Sequence, residues 1–328
     1  MLSDSRVYSL KFDLQRIDND YDIVDPSIKQ VSVLGQVETS QVFHCHGLLL
    51  FVTKDQKLVL WNPYLGQTMS TKRSKTFKSL SRYEKFGLGY DSINGYHKIL
   101  RVYERKNGSL RSEIYDCNST SWRVLGVVPE WDITYHDISM SVNGNTYFLA
   151  LENATKDSKI EEDDVLWSLH CFDFTAERFG PLLPLPFQSH EYSSESVALS
   201  CVRDEQLALL FLRNPEVMEF WITTKIDPSS VSWSKFLEVD TRSFPWFPSV
   251  VMAGAFFLDE AEKKAVLVSS FRKYRSPTKT CCYQTAYIIG EDGYFKSEVI
   301  IGARLSKKCG YCFPFVFTSY VPSLVQLK

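Results

Sequence analysis

The feature that most constrains this chain is a recurring signature, an aromatic side chain near the end of a short apolar run, followed by a polar or turn residue. It occurs in Val59-Leu60-Trp61-Asn62, Glu113-Ile114-Tyr115-Asp116, His170-Cys171-Phe172-Asp173, Met218-Glu219-Phe220-Trp221 and Thr285-Ala286-Tyr287-Ile288. The aromatics at 61, 115, 172, 220 and 287 are 54, 57, 48 and 67 residues apart. A second aromatic follows soon after most of them, in Ser121-Trp122-Arg123, Glu177-Arg178-Phe179, Ser232-Trp233-Ser234 and Gly293-Tyr294-Phe295. Each unit opens with small or aliphatic residues, as in Gly47-Leu48-Leu49-Leu50-Phe51-Val52. Four short strands per repeat of roughly 40–50 residues is the dimension of a propeller blade. The fold expected is therefore all-β, a propeller-like ring of about six four-stranded blades forming one domain over residues 1–328. Strands at Val7–Phe12 and Phe315–Tyr320 would complete the sixth blade and remove exposed sheet edges. A pair of stacked β-sandwiches is the alternative.

Turn chemistry agrees. Asn94-Gly95, Asn107-Gly108, Asn143-Gly144 and Asp292-Gly293 suit tight hairpins, because Asn, Asp and Gly tolerate positive φ. The best helical candidate, Asp259–Lys264, is short and lies between two apolar runs, so a hairpin loop is expected there. Phe, Tyr and Trp make up 14% of the chain, a share that favours sheets, where flat rings pack across strands. A net charge of −2 gives no basic footprint for nucleic acid, and stretches such as Arg272–Arg275 read as solvated loops. No apolar run reaches the ~20 residues that span a bilayer, and no signal peptide is visible at the start, so no membrane association is expected. The expected compartment is the cytoplasm or nucleus. Eight cysteines would there be mostly free thiols packed as small hydrophobes, and the three glycosylation sequons accidental.

No nucleotide-binding glycine motif, nucleophile elbow or metalloprotease signature is present, so no catalytic residue and no cofactor is expected. Cys309-Gly310-Tyr311-Cys312 has metal-ligand spacing, with Cys281-Cys282 upstream. Adjacent strand residues point to opposite faces, however, so Cys281 and Cys282 do not readily converge. His44 and His46 could chelate from alternate strand positions, but no further ligand lies nearby in sequence; no metal site is expected. The acidic run Glu161–Asp164 reads as a solvated insertion. An enzymatic propeller would need convergent acids or histidines at the starts of inner strands, and His46, Tyr90-Asp91 and Asp137 are thin material for one.

An ordered set of segments then brings a family into view. Phe43-His44-Cys45-His46-Gly47-Leu48-Leu49-Leu50 is followed by Leu58–Pro63, Gly87-Leu88-Gly89-Tyr90-Asp91, Tyr96–Arg101 and Glu113–Asp116. Ser121–Leu125, Val142–Tyr147 and Ser319–Val325 continue the set. Together they resemble the plant F-box-associated domain of type 1 over nearly the whole chain. The resemblance implies a non-enzymatic protein-interaction module, the half of a cullin-type ubiquitin-ligase receptor that holds the target. In such receptors an N-terminal F-box docks on a Skp-type adaptor. No such helical segment precedes Val7 in this sequence, so direct adaptor binding is not expected, and a truncated competitor for targets is the alternative role. The target is an unknown protein.

In a propeller the connections from the outermost strand of one blade to the innermost strand of the next share one face. Those expected here are residues 83–86, 130–136, 187–192, 243–248 and 309–313. Four of them, all but 83–86, carry more aromatics than loops usually hold. Trp131, Tyr135, Tyr192, Trp246 and Phe247 are the expected binding residues, with His136 and His190 as polar rim. The competing expectation is that these rings cap the blade cores.

Overall fold

Apolar runs broken by Asn-Gly and Asp-centred turns give strands here, because β-branched and aromatic residues fit a pleated surface and the turns reverse the chain every few residues. A computed structural model describes residues 2–3, 6–11, 27–30, 39–71, 74, 84–105, 107–129, 139–151, 167–187, 197–203, 205–214, 216–244, 255–276, 279–291, 293–301, 305–306 and 322–327. Five antiparallel four-stranded units follow one another in chain order. The first comprises β4 (Thr39–Cys45), β5 (Leu48–Thr53), β6 (Leu58–Asn62) and β7 (Gln67–Ser70). The second comprises β8 (Glu84–Asp91), β9 (Tyr96–Glu104), β10 (Leu110–Asp116) and β11 (Ser121–Val124). The third is β12 (Ser139–Val142), β13 (Asn145–Leu151), β14 (Trp167–Asp173) and β15 (Arg178–Leu183), and the fourth is β16 (Val197–Val202), β17 (Gln206–Asn214), β18 (Val217–Asp227) and β19 (Ser230–Asp240). The fifth is β20 (Ala255–Asp259), β21 (Lys264–Ser276), β22 (Lys279–Gly290) and β23 (Phe295–Ile301), with β24 (Leu305–Ser306) pairing onto β22. Ahead of them, β1 (Leu2–Ser3), β2 (Arg6–Lys11) and β3 (Ser27–Gln30) form a three-stranded sheet.

The protein is thus an all-β propeller with five four-stranded blades among the described residues, against the six expected. The N-terminal strand of the expected sixth blade is β2, in the three-stranded sheet, and the partner segment Phe315–Tyr320 lies outside the described residues. Two further expectations are corrected. Gly47–Val52 opens the second strand of its blade, since Thr39–Cys45 precedes it as the first. Arg272–Arg275 lies within β21, where Arg272 pairs with Cys282 and Lys273 with Cys281, and is not a loop. Among the described residues the helical content is one 3-10 turn, Thr241–Ser243, and no helix is long and apolar enough to cross a membrane.

The recurring aromatic–polar signature has a local cause at the third strand. Asp116 Oδ1 accepts hydrogen bonds from the backbone N–H of Asn118 and Ser119, and Asp173 Oδ1 does so from Thr175 and Ala176. Asn62 Oδ1 accepts from Tyr64 and Leu65 in the same way. A short side-chain acceptor at the strand end thereby fixes the turn into the fourth strand. The preceding aromatics Tyr115, Phe172, Phe220 and Tyr287 are buried in clusters that each draw on two successive blades. The core is therefore a series of blade-to-blade seams.

Near the axis the first strands crowd together, with β12 touching β4, β8 and β16. Among the described residues each first strand has one edge with no partner strand, and on β8 and β20 small hydroxyls from the neighbouring blade bond to it. Ser139 Oγ donates to Phe86 O at 2.9 Å, Ser141 Oγ to Leu88 O at 2.5 Å, and Ser200 Oγ to Phe256 O at 2.7 Å. Gly87 and Gly89 permit the same closeness. A Cβ on Gly89 would sit 1.9 Å from Cδ2 of the buried Phe174, and one on Gly87 would sit 2.8 Å from Thr146 Oγ1.

The C-terminal residues 322–327 dock on the first blade. Asn62 Nδ2 donates to Ser323 O at 2.9 Å and to Val325 O at 2.8 Å, Leu327 N donates to Gln67 Oε1, and Val325 and Leu327 pack against the apolar cluster shared by the first two blades. This explains why the first blade carries Asn where the second and third carry Asp. A carboxylate serves the turn equally well but cannot donate to two carbonyls.

Two outcomes are expected. Gly89→Ala costs about 1–3 kcal/mol by displacing the Phe174 ring, while Gly126→Ala, with open space at its Cβ, leaves the Tm unchanged; thermal unfolding of both variants checks this. Asn62→Asp keeps the turn but releases the C-terminal segment, so hydrogen exchange at Val325 and Leu327 accelerates while that at Leu65 does not.

Candidate functional site

Trp131, Tyr135, Tyr192, Trp246, Phe247, His136 and His190 all lie outside the described residues, as do residues 309–313. The described ends of the same connections are packed. Phe187 stacks on Phe211 with ring centroids 3.7 Å apart, and Phe244 is buried against Phe295 at 4.4 Å. Phe86 is buried inside β8 and is not a loop residue. These ends therefore seal the seams between blades.

The opposite face carries the turns between first and second strands, and three of them meet. His46-Gly47 joins β4 to β5 with φ of 45° and 74°, and Asn143-Gly144 joins β12 to β13 with φ of 51° and 78°. Tyr90, at the end of β8, donates its backbone N–H to Gly144 O at 2.8 Å. A Cβ on Gly144 would lie 3.1 Å from Tyr90 O and 3.5 Å from Cε1 of His46, so glycine here provides both the left-handed turn and the close approach. The His46 ring lies 5.2 Å from Tyr90, Tyr90 lies 5.1 Å from His97, and His46 lies 6.3 Å from His97, all as tilted or edge-on contacts.

His97 is the buried member of this group. Burial, aided by the adjacent His46 ring, lowers its pKa to about 4, so the imidazole is neutral at pH 7. Cys45 Sγ and one nitrogen each from His46 and His97 lie within 4.8 Å of one another. Strand alternation makes His44 and His46 the conceivable chelating pair. The structure brings Cys45 and His46 together instead, because the left-handed φ at His46 breaks the alternation, and it supplies His97 from the next blade. His44 is engaged in the turn, its Nε2 accepting from Gly47 N at 3.2 Å. The signal for this grouping lay in the His46-Gly47 dipeptide, a hairpin turn of the same kind as Asn143-Gly144.

Of the acids that an enzymatic reading names, Asp91 is committed to the fold. Asp91 Oδ1 accepts from Ile93 N and Asn94 N, and its Oδ2 from Asn94 Nδ2 and from Lys98 Nζ at 2.5 Å. Lys98, itself buried, also donates to Glu177 Oε1 at 2.7 Å and to Phe174 O at 3.2 Å, and Glu177 binds Arg123. This network ties the second blade to the third. Burial opposes ionisation of Asp91, but the hydrogen bonds from Asn94 and Lys98 outweigh it and lower the pKa to about 2. Glu177 is lowered too, burial again being outweighed by Arg123 and Lys98. A second buried group, within the second blade, pairs Arg101 with Glu84 and Glu113, and Glu113 also accepts from Ser74 and Tyr103. Asp137, a further acid considered from the sequence, lies outside the described residues.

Comparison with known proteins adds a lineage to this geometry. The family model described as the F-box associated beta propeller domain matches residues 1–327. The F-box/kelch-repeat protein At3g13680 of Arabidopsis thaliana is 49% identical over 342 residues, covering 100% of this chain and 83% of that protein. The F-box protein At3g49510 of the same plant is 47% identical, covering 100% of this chain and 85% of its own length, and the F-box protein At1g66490 is 46% identical, covering 100% and 86%.

The buried network sets a pH dependence. A carboxylate held near 2 stabilises the fold fully above pH ~4, and that contribution is lost as pH falls from about 4 toward 2. Lys98→Met leaves two acids facing a buried apolar side chain and costs about 3–5 kcal/mol at pH 7. The gap between wild type and variant in urea unfolding narrows at pH 3, where the stranded acids take up protons. A gap independent of pH would contradict this account.

Proposed function

Because the chain belongs to the F-box-associated β-propeller family, we propose that it is a non-catalytic protein-interaction module, the substrate-recognition half of an F-box receptor of a cullin-type ubiquitin ligase. The observation that carries this reading is the match of one family model to residues 1–327, joined to relatives named as F-box proteins that the chain parallels over more than four-fifths of their length. The commitment of Asp91, Glu84, Glu113 and Glu177 to buried cations supports a scaffold over an active site. Such a scaffold presents its loops rigidly, and recognition of a protein target by loops on a stiff frame needs no chemistry of its own. The target-binding residues we assign are Trp131, Tyr135, Tyr192, Trp246 and Phe247. Trp and Tyr anchors of this kind concentrate binding energy at an interface. Nucleic acid and membrane are not among the partners proposed, in keeping with a net charge of −2, and the working compartment is the cytoplasm or nucleus.

The test joins an F-box segment ahead of this chain in plant cells and compares it with the Trp246→Ala, Phe247→Ala double variant. A defined protein co-purifies with the fusion, becomes ubiquitinated and falls in abundance. The double variant, with an unchanged Tm, loses that protein. If the two rings cap blade cores, the variant instead loses about 3–5 kcal/mol per fully buried ring and still retains the partner. That result would remove these residues from the interface. Failure of the fusion to retain or destabilise any protein would overturn the receptor reading itself.

A further inference from the structure

We propose that Cys45, His46 and His97 form a three-ligand binding site for a zinc-type metal ion on the face of the propeller opposite the blade-to-blade loops. The ligand atoms are one sulfur and two imidazole nitrogens, all within 4.8 Å of one another. Zinc bonds of about 2.3 Å to sulfur and 2.0–2.1 Å to nitrogen set tetrahedral ligand pairs roughly 3.3–3.6 Å apart, so closure by about an ångström completes the site. The His46-Gly47 turn, at the tip of a hairpin, is where that adjustment falls.

His97 provides the second, independent observation. His97 is 2% exposed, and among the described residues neither ring nitrogen makes a hydrogen bond of ordinary geometry, the Cys45 backbone approaching it. Ring packing on Tyr90 and His46 accounts for its position but leaves its lone pair unused. Buried polar atoms in folded proteins are almost always satisfied, and an ion bound between His97 and Cys45 satisfies this one. Cys45 and His97 are buried, whereas His46 is accessible, so the site has an entrance.

The donor set also selects the ion. A thiolate with two imidazoles suits zinc, while magnesium and calcium demand oxygen ligands. Binding displaces the Cys45 thiol proton to solvent, and thiolate plus Zn2+ leaves a net charge of +1 at the site. With three protein ligands the fourth position stays open to water or to a side chain of a bound protein.

Cobalt(II) titration of the metal-free full-length chain, followed by competition with zinc, tests the site. The expected result is one cobalt per chain, with a thiolate-to-cobalt charge-transfer band and the intense visible bands of tetrahedral geometry, displaced by zinc. Cys45→Ser abolishes the charge-transfer band. His46→Asn, which retains the left-handed turn as Asn143 does, weakens cobalt binding at least tenfold. Should Cys45→Ser fail to fold, His46→Asn decides alone. No tetrahedral spectrum in the wild type would overturn the proposal. So would a spectrum and affinity unchanged in His46→Asn, which would put the metal on other cysteines of the chain.

Discussion

The closeness of the first strands around the propeller axis is the constraint on which the rest of the structure depends. A first strand offers backbone N–H and C=O groups on the edge that has no partner strand among the described residues. Ser139, Ser141 and Ser200 satisfy some of these groups from the neighbouring blade, and Gly87 and Gly89 let the backbones approach to the distance that short hydroxyls can span. Larger residues at these positions would push the blades apart and open the seams. The seams hold the hydrophobic core, so central closeness and outer packing are one property.

The charged network at the second seam belongs to the same design. Lys98 reaches across from the second blade to Glu177 and Phe174 O of the third while pairing with Asp91 at home. Buried ion pairs contribute little net stability compared with apolar packing, but they tolerate very few alternative arrangements. Here they join the second blade to the third.

The two faces of the propeller therefore differ in kind. At one face Phe187 and Phe244, which follow β15 and β19, are anchored by stacking. The other carries short turns in which His46, Gly144 and Tyr90 touch. Those short turns are tied to one another, as Tyr90 N is to Gly144 O.

Much of this was legible along the chain. Third strands were readable at Trp61, Tyr115, Phe172, Phe220 and Tyr287 because a buried aromatic is a local requirement of each blade, to which the first three add an Asx-type turn at Asn62, Asp116 and Asp173. The hairpins at Asn94-Gly95 and Asn143-Gly144 were readable for the same reason. The blade count was less so, since the residues beyond the five regular units lack that signature. Three features had no local signal. Asn62 looks like any other turn residue until the C-terminal segment arrives from more than 260 positions away to accept its amide protons. Lys98 looks like a solvated lysine until Glu177 faces it. His97 looks like an ordinary strand residue until Cys45 and His46 are folded beside it. Strands and turns follow from the periodicity and conformational freedom of neighbouring residues, and the family from an ordered set of short segments, so all three can be read along the chain. Only the tertiary structure decided which polar groups meet across the seams, because closing the ring brings together residues whose separation along the chain carries no trace of their contact.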